Sequence, residues 1–465
     1  MAVGFVFYDV ETTGLSPAFD QITEFAAIRT DDVLTPIDRL EVRLRLMPHV
    51  LPSPDALCLT GTSIEDLLAS ERPSFVSGMS LIAQTLRKWS PSTIIGYNST
   101  RFDERFLHHG FYQTLHPAYL TSRNQNSRGD ALRLARAVHA LRPEALKAGV
   151  GGNGDLSFGL GGVCVANGYV TGAHHEAMAD TEALLWLCKL ISEKAPDLWS
   201  QFLRFTSKRS AADFLKNEDA VLLFDPRRDD LGIRYVSWLG ASEKDGNCHY
   251  CIDLTADIAS LANMDDGALS AVLVSSGSSL RRVRINASPL MMPIYEVEGL
   301  ENAPDEAFFT GQVATLRSQT GLTDRLLTIA KANETDYPSS PHVESQLYGQ
   351  LIPFEEEDKM AAFHAASWEQ RASFLNTFAD RRLFQLGRRI LFYERPDLLD
   401  SVLRQKMADG LALRMGGAGG TVPWMTFETA TRAINAYVTR DPRTAEIIRS
   451  YRTYLDRLIQ QSVAA

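Results

Sequence analysis

Cysteine is scarce and odd in number: Cys58, Cys164, Cys188, Cys248 and Cys251 are the only five in 465 residues. That count argues against a secreted disulfide framework and leads to the expectation of a reducing, cytoplasmic setting. Long apolar runs are also missing. No stretch approaches the roughly 18 residues needed to span a bilayer, so no membrane association is expected. The apolar run in MAVGFVFYDVETTG lacks a basic leader and a small-residue cleavage site, and reads as a buried strand rather than a signal peptide. Positive charge is in deficit, with 47 Lys and Arg against 57 Asp and Glu, a net charge of −10. Taken alone, this counts against a broad basic footprint for a polyanion, so any nucleic acid must be held by local patches or metal ions.

What is present is ample apolar material, 45% of the chain, in a length that exceeds one growing core. Over residues 1–195, strand-like and helix-like segments alternate, which predicts an α/β domain with a mixed central sheet. Pro196 closes its last helix. Residues 196–337 carry short β-rich runs (AVLLF, IRYVSWL, HYCIDL, SAVLV) between polar turns, which predict a small antiparallel barrel or sandwich. After the linker-like TDYPSSPH, residues 338–465 read as helical, interrupted by the Gly-rich MGGAGG.

Three short segments carry the chemistry. In FVFYDVETTGL, Asp9 and Glu11 lie two apart on a strand and project from the same face, with Thr12 at the strand end. Converging carboxylates suit a hard cation such as Mg²⁺ or Mn²⁺, although Asp-x-Glu alone is usually a solvated surface pair. In STIIGYNSTRFDERFL, Asp103 opens a helix directly after a buried strand, where open sheets present ligands to their cleft. The plainer alternative is a first-turn carboxylate favoured by the helix dipole. In HHEAMADTEALLWL, His175 precedes Asp180 by five residues and falls in the loop before a helix, where a histidine is more often a cap.

Taken together and in this order, DVETTG, GYNSTRFDE and HEAMAD resemble the histidine-bearing branch of the DEDD family of 3′→5′ exonucleases. NSRGD, ALRPEAL, LSFGL with VANG, and the later VESQLYGQL and FADRRLFQLGRRILF extend the resemblance to the bacterial exonuclease I family across essentially the whole chain. That resemblance implies a ribonuclease H-like exonuclease domain, an SH3-like β-barrel and an α-helical C-terminal domain around a channel for single-stranded DNA. It also implies degradation to 5′-mononucleotides by a monomeric enzyme serving DNA repair and recombination. Two Mg²⁺ ions are implied: Asp9, Glu11 and Asp180 at one, Asp9 and Asp103 at the other, with His175 as general base.

For the substrate, Glu11, Thr12, Arg128 and the region of Gly159 are expected contacts. Arg142 in ALRPEAL resembles a position that grips the C-terminal tail of single-stranded DNA-binding protein. Further phosphate-contact candidates are Lys208, Arg209, Arg227, Arg228, Arg282 and Arg284. The chain departs from the family at Gly159, where a basic residue is common, at Gly161, where an acidic one is frequent, and at Gly129, where Trp is usual.

Other signals carry less. Cys248-His249-Tyr250-Cys251 has the spacing of half a zinc site without a second half, and reads as buried strand. Gly149, Gly151 and Gly154 match a dinucleotide motif in letters only, since they follow a helix. The competing functions are an RNA-trimming or proofreading exonuclease of the same superfamily, and a single-strand-binding protein that has lost catalysis.

Overall fold

The computed structural model describes residues 4–170, 176–225, 232–275, 278–296, 300, 304–334, 340–417, 421–439 and 441–464. Its N-terminal part is built on strands β1 (Phe5–Thr12), β2 (Ile22–Thr30), β3 (Pro36–Arg43), β4 (Thr93–Gly96) and β5 (Ser127–Asp130). The order is β3-β2-β1-β4-β5, with β1, β2 and β3 antiparallel and β1, β4 and β5 parallel. This is the mixed sheet expected from the alternation of segments.

Around the sheet lie α1 (Pro54–Thr60), α2 (Ile64–Leu68), α3 (Phe75–Lys88), α4 (Asp103–Gln113), α5 (Ala131–Leu141), α6 (Leu160–Ala166) and α7 (Ala177–Lys194). Successive strand residues point to opposite faces, so β1 feeds two cores. Phe5 and Phe7 pack with α5 and α7 through Leu134, Val138, Leu184 and Leu187. Val6, Tyr8 and Val10 pack with α3 and α4 through Met79, Ile82, Phe106 and Phe111. A three-layer arrangement follows, with helices on both faces of the sheet. A two-residue ribbon, β6 (Gly149–Val150) with β7 (Leu156–Ser157), carries the three glycines of the spurious dinucleotide motif or lies beside them.

Pro196 does not merely end α7. It opens α8 (Pro196–Arg204) after a single intervening residue, as its fixed φ and missing N–H allow at a first helical position. Following α9 (Lys208–Asn217), strands β8 (Val221–Phe224), β9 (Ile233–Ala241), β10 (Cys248–Asp253), β11 (Leu280–Arg284) and β12 (Leu290–Pro293) pair antiparallel in the order β11-β10-β9-β8-β12. The expected strand SAVLV is instead helical. It follows α10 (Ile258–Asn263) and falls within α11 (Asp266–Val274), because Asp265 caps the Ala268 N–H at 2.9 Å and starts a helix before the apolar run begins. Helices α12 (Glu306–Ser318) and α13 (Leu322–Ala332) complete this region, so it holds more helix than its β-rich texture suggests.

The remainder is helical, as expected: α14 (Phe354–Ala365), α15 (Trp368–Phe374), α16 (Arg381–Glu394), α17 (Ser401–Gly416), α18 (Phe427–Ala436) and α19 (Pro442–Ala464). Two apolar clusters fix these helices to the N-terminal part. One joins Tyr112, Leu115 and Val76 to Met360, Phe363, Leu383 and Leu386. The other joins Leu51, Leu57 and Leu67 to Ile434, Ile448 and Tyr451, whose hydroxyl donates to the Pro52 carbonyl at 2.7 Å.

Candidate active site

Asp9 and Glu11 share one face of β1 because the strand alternates, and Asp180 comes to that face from the first turn of α7, which packs across β1 and β2. One carboxylate oxygen from each of Asp9, Glu11 and Asp180 lies within 4.8 Å of the others. Asp103 enters from the first turn of α4 and accepts the Val10 N–H at 3.3 Å, which holds it against the same strand. Three of the five residues expected to carry chemistry therefore meet, and Asp103 lies beside them with its charge acting on Asp9. His175 lies outside the described residues.

The electrostatics of this cluster are those of like charges forced together in a partly dry place. Burial, then the charges of Asp103, Glu11 and Asp180, push Asp9 well above the usual carboxylate range. Burial with the charges of Asp180, Glu24 and Asp103 raises Glu11 to about 8, and burial raises Asp103 to about 7 despite its backbone hydrogen bonds. All the donors are hard carboxylate oxygens, and their mutual repulsion is relieved by a divalent cation. The residues present thus fit a Mg²⁺ or Mn²⁺ site.

Glu24 joins this group without any mark in the motifs. It stands opposite Glu11 in the β1–β2 register and is buried, with one oxygen 3.3 Å from Arg43 Nε and the other without a partner among the described residues. Its carboxyl is raised by burial, offset by Arg43 and by the Ala177 backbone N–H at the start of α7. The alternation in QITEFAAIRT places Glu24 on a strand, but only the register brings it to the site.

The loop after β1 is tightly folded. Asp20 accepts from Thr13 Oγ1 at 3.0 Å and from the Ser16 N–H at 2.9 Å, and a side chain at Gly14 would meet its carboxylate at 2.6 Å. Thr12 Oγ1 donates to the Gly14 carbonyl at 2.7 Å, so its hydroxyl shapes the turn beside the carboxylates.

The candidate substrate cations fare differently. Arg128 is largely buried, bonded to Glu104 and to the Asn286 carbonyl. Arg142 sits at the end of α5 with its guanidinium on the Leu141 carbonyl at 2.8 Å and on Asp197 at 3.2 Å, partly exposed. Arg209 is exposed and 3.7 Å from Asp213 on the helix that Lys208 opens, Arg284 pairs with Asp245 at 2.9 Å, and Arg282 donates to the Asn333 carbonyl at 3.0 Å. Arg227 and Arg228 lie outside the described residues. Gly159 is the N-cap of α6 with φ −63°, and among the described residues a side chain there would meet nothing nearer than Ser157 Oγ at 3.7 Å, whereas a Cβ at Gly129 would stand 2.4 Å from the Phe202 ring. Cys248 and Cys251 are buried free thiols in β10.

Comparison with known proteins agrees with this geometry. An exonuclease family model of the RNase T type matches residues 6–187. Exodeoxyribonuclease I of Haemophilus influenzae is 27% identical over 406 residues, 82% of this chain and 84% of the relative. Among solved structures, exonuclease I from Methylocaldum szegediense superposes with a TM-score of 0.86 at 24% identity, covering 98% of this chain and 99% of that one. Escherichia coli exonuclease I in complex with a dA16 oligonucleotide gives 0.87 at 22% identity, with the same coverage. A structure of SSB/exonuclease I in complex with an inhibitor gives 0.84, also at 22% identity. The fold is thus similar to that of exonuclease I over 98% of the chain. With an exonuclease family model over residues 6–187 and a resemblance to exodeoxyribonuclease I over most of its length, the chain carries a hydrolytic exonuclease domain.

Proposed function

We propose that the protein degrades single-stranded DNA from its 3′ end to 5′-mononucleotides, with Asp9, Glu11, Asp103 and Asp180 holding two Mg²⁺ ions. The observation that carries this reading is the meeting of Asp9, Glu11 and Asp180 within 4.8 Å in a domain of exonuclease type. Paired divalent cations there would lower the pKa of water and stabilise charge on the phosphate and the leaving oxygen. The chain's own residues supply the rest. The carboxylates fix the cation positions, and the Thr12–Asp20 turn walls the terminal nucleotide. His175, five residues before Asp180, takes the proton of the attacking water near neutral pH, a role that rests on the family resemblance.

DNA rather than RNA is favoured by the extent of the likeness: it continues through the sheet of β8–β12, read as the SH3-like barrel, and through the C-terminal helices. We assign the three domains to residues 1–195, 196–337 and 338–465. Arg142 and its partly exposed guanidinium are assigned to the acidic tail of single-stranded DNA-binding protein, and the protein is taken to act as a cytoplasmic monomer in DNA repair and recombination.

End-labelled single-stranded DNA and RNA of one sequence, incubated with Mg²⁺, test the substrate. DNA is expected to be shortened from its 3′ end, and faster loss of RNA would sink the choice. Asp9→Ala is expected to abolish the activity, and His175→Ala to slow hydrolysis by roughly 10²–10⁴-fold while leaving metal and DNA binding intact.

A further inference from the structure

Arg128 is a candidate substrate contact by sequence, yet its side chain is only 15% exposed and its guanidinium is spent inside the molecule. Nη1 meets the Glu104 carboxylate and Nη2 the Asn286 carbonyl. Glu104 is the residue after Asp103 on α4. Its buried carboxylate also accepts from Thr121 Oγ1 at 2.9 Å and lies 3.7 Å from His108 Nε2, so this one side chain pins the first turn of the helix that delivers Asp103. Asn286 lies in the 285–288 turn that joins β11 to β12. The same turn is held at two more points: Ser288, in the left-handed region with φ 47°, donates to the Arg128 carbonyl, and Arg133 donates to the Ala287 carbonyl at 2.8 Å.

We infer that Arg128 is a positioning residue: a two-pronged tie that sets the first turn of α4, and with it Asp103, against the 285–288 turn of the second sheet. The inference rests on the reading that Asp103 helps to hold the metal. The two prongs use different nitrogens aimed at two acceptors on different parts of the chain, a geometry that the planar fork of arginine meets and a single ammonium does not. Loosening the tie frees the first turn of α4, so the metal is held less well even though Arg128 touches neither metal nor DNA. Substrate affinity is affected little.

Calorimetric titration of the full chain with Mn²⁺, without DNA, is the direct test, accompanied by kcat and KM on single-stranded DNA and by melting temperature. Arg128→Ala and Arg128→Lys are both expected to weaken Mn²⁺ binding on the order of 10-fold, as loss of outer support to metal ligands does. KM should stay within about two-fold while kcat at limiting metal falls. If Arg128→Lys keeps wild-type Mn²⁺ affinity and KM rises in Arg128→Ala, the residue is a phosphate contact and the inference fails. If melting temperature alone falls, the tie is merely structural and the inference fails equally. Should Arg128→Ala not fold, Glu104→Gln, which keeps the shape and weakens the charge-assisted bond, carries the same expectation. Absence of Mn²⁺ binding in the wild-type chain would instead count against the metal-site reading itself.

Discussion

Glu11 and Glu24 stand directly opposite each other in the antiparallel register of β1 and β2. Burial, the charge of Asp180 and then the like charge of Glu24 opposite raise Glu11 to about 8 from its ordinary 4.5. Between those two values the folded chain holds a proton that the unfolded chain releases. The stability contributed by this group is therefore full below about pH 4.5 and lost as pH rises through about 8. The metal-free protein is expected to melt progressively lower across that window, and saturating Mg²⁺ should flatten the trend. Glu24→Gln should recover roughly 0.2–1 kcal/mol at pH 8 in the metal-free state. Chemical denaturation at pH 5 and pH 8 checks this, and an unchanged slope in the variant would remove Glu24 from the account.

A set of buried histidines predicts the opposite trend on the acid side. Burial lowers His108, His109 and His364 to about 4 and His116 to about 2. They lie where α4 and the turn after it meet the C-terminal helices: His109 Nδ1 is 3.0 Å from the Glu344 carbonyl, and His116 stacks on His364 with ring centroids 3.9 Å apart. Their folded values lie below the ordinary 6.5, so the stability they contribute is present above about 6.5 and lost as pH falls toward 4. Acid should loosen this contact first. Hydrogen exchange at pH 7 and pH 4.5 should show α4 and α14 losing protection before β1, and loss that begins at β1 would contradict the assignment.

Gly159 offers room for the basic residue usual in the family. Its φ of −63° suits any residue, and among the described residues the nearest atom to a new Cβ is 3.7 Å away. Gly159→Arg should leave stability within about 0.5 kcal/mol, as surface changes do, and lower KM for single-stranded DNA severalfold by adding a phosphate contact, on the order of one counterion in the salt dependence. An unchanged salt slope would show that the DNA does not pass this position.

Gly129 is the reverse case. Phe202 from α8 fills the space that a side chain there would occupy, its ring only 2.4 Å from where a Cβ would stand. Gly129→Trp alone should cost roughly 1–3 kcal/mol by overpacking, and Phe202→Ala in the same chain should return part of that loss. Thermal melts of the two single variants and the double variant measure the coupling. Simple additivity would mean that the two positions do not share one space.

The sequence by itself determined the candidate residues of the site. Asp9 and Glu11 two apart on an apolar strand, Asp103 after a strand and Asp180 in a first helical turn are local patterns, and local patterns are legible because strand and helix periods follow from the backbone. It determined less where capping outweighed β propensity, as at Asp265 before SAVLV, and where Pro196 could either end a helix or begin one. Only the tertiary structure decided that three carboxylates meet within 4.8 Å, that Glu24 faces Glu11, and that Arg128 turns inward to Glu104 and Asn286 rather than outward to a phosphate. The reason is physical: register and the direction of a long side chain depend on partners distant along the chain, and a charge finds its partner only after the core has placed both.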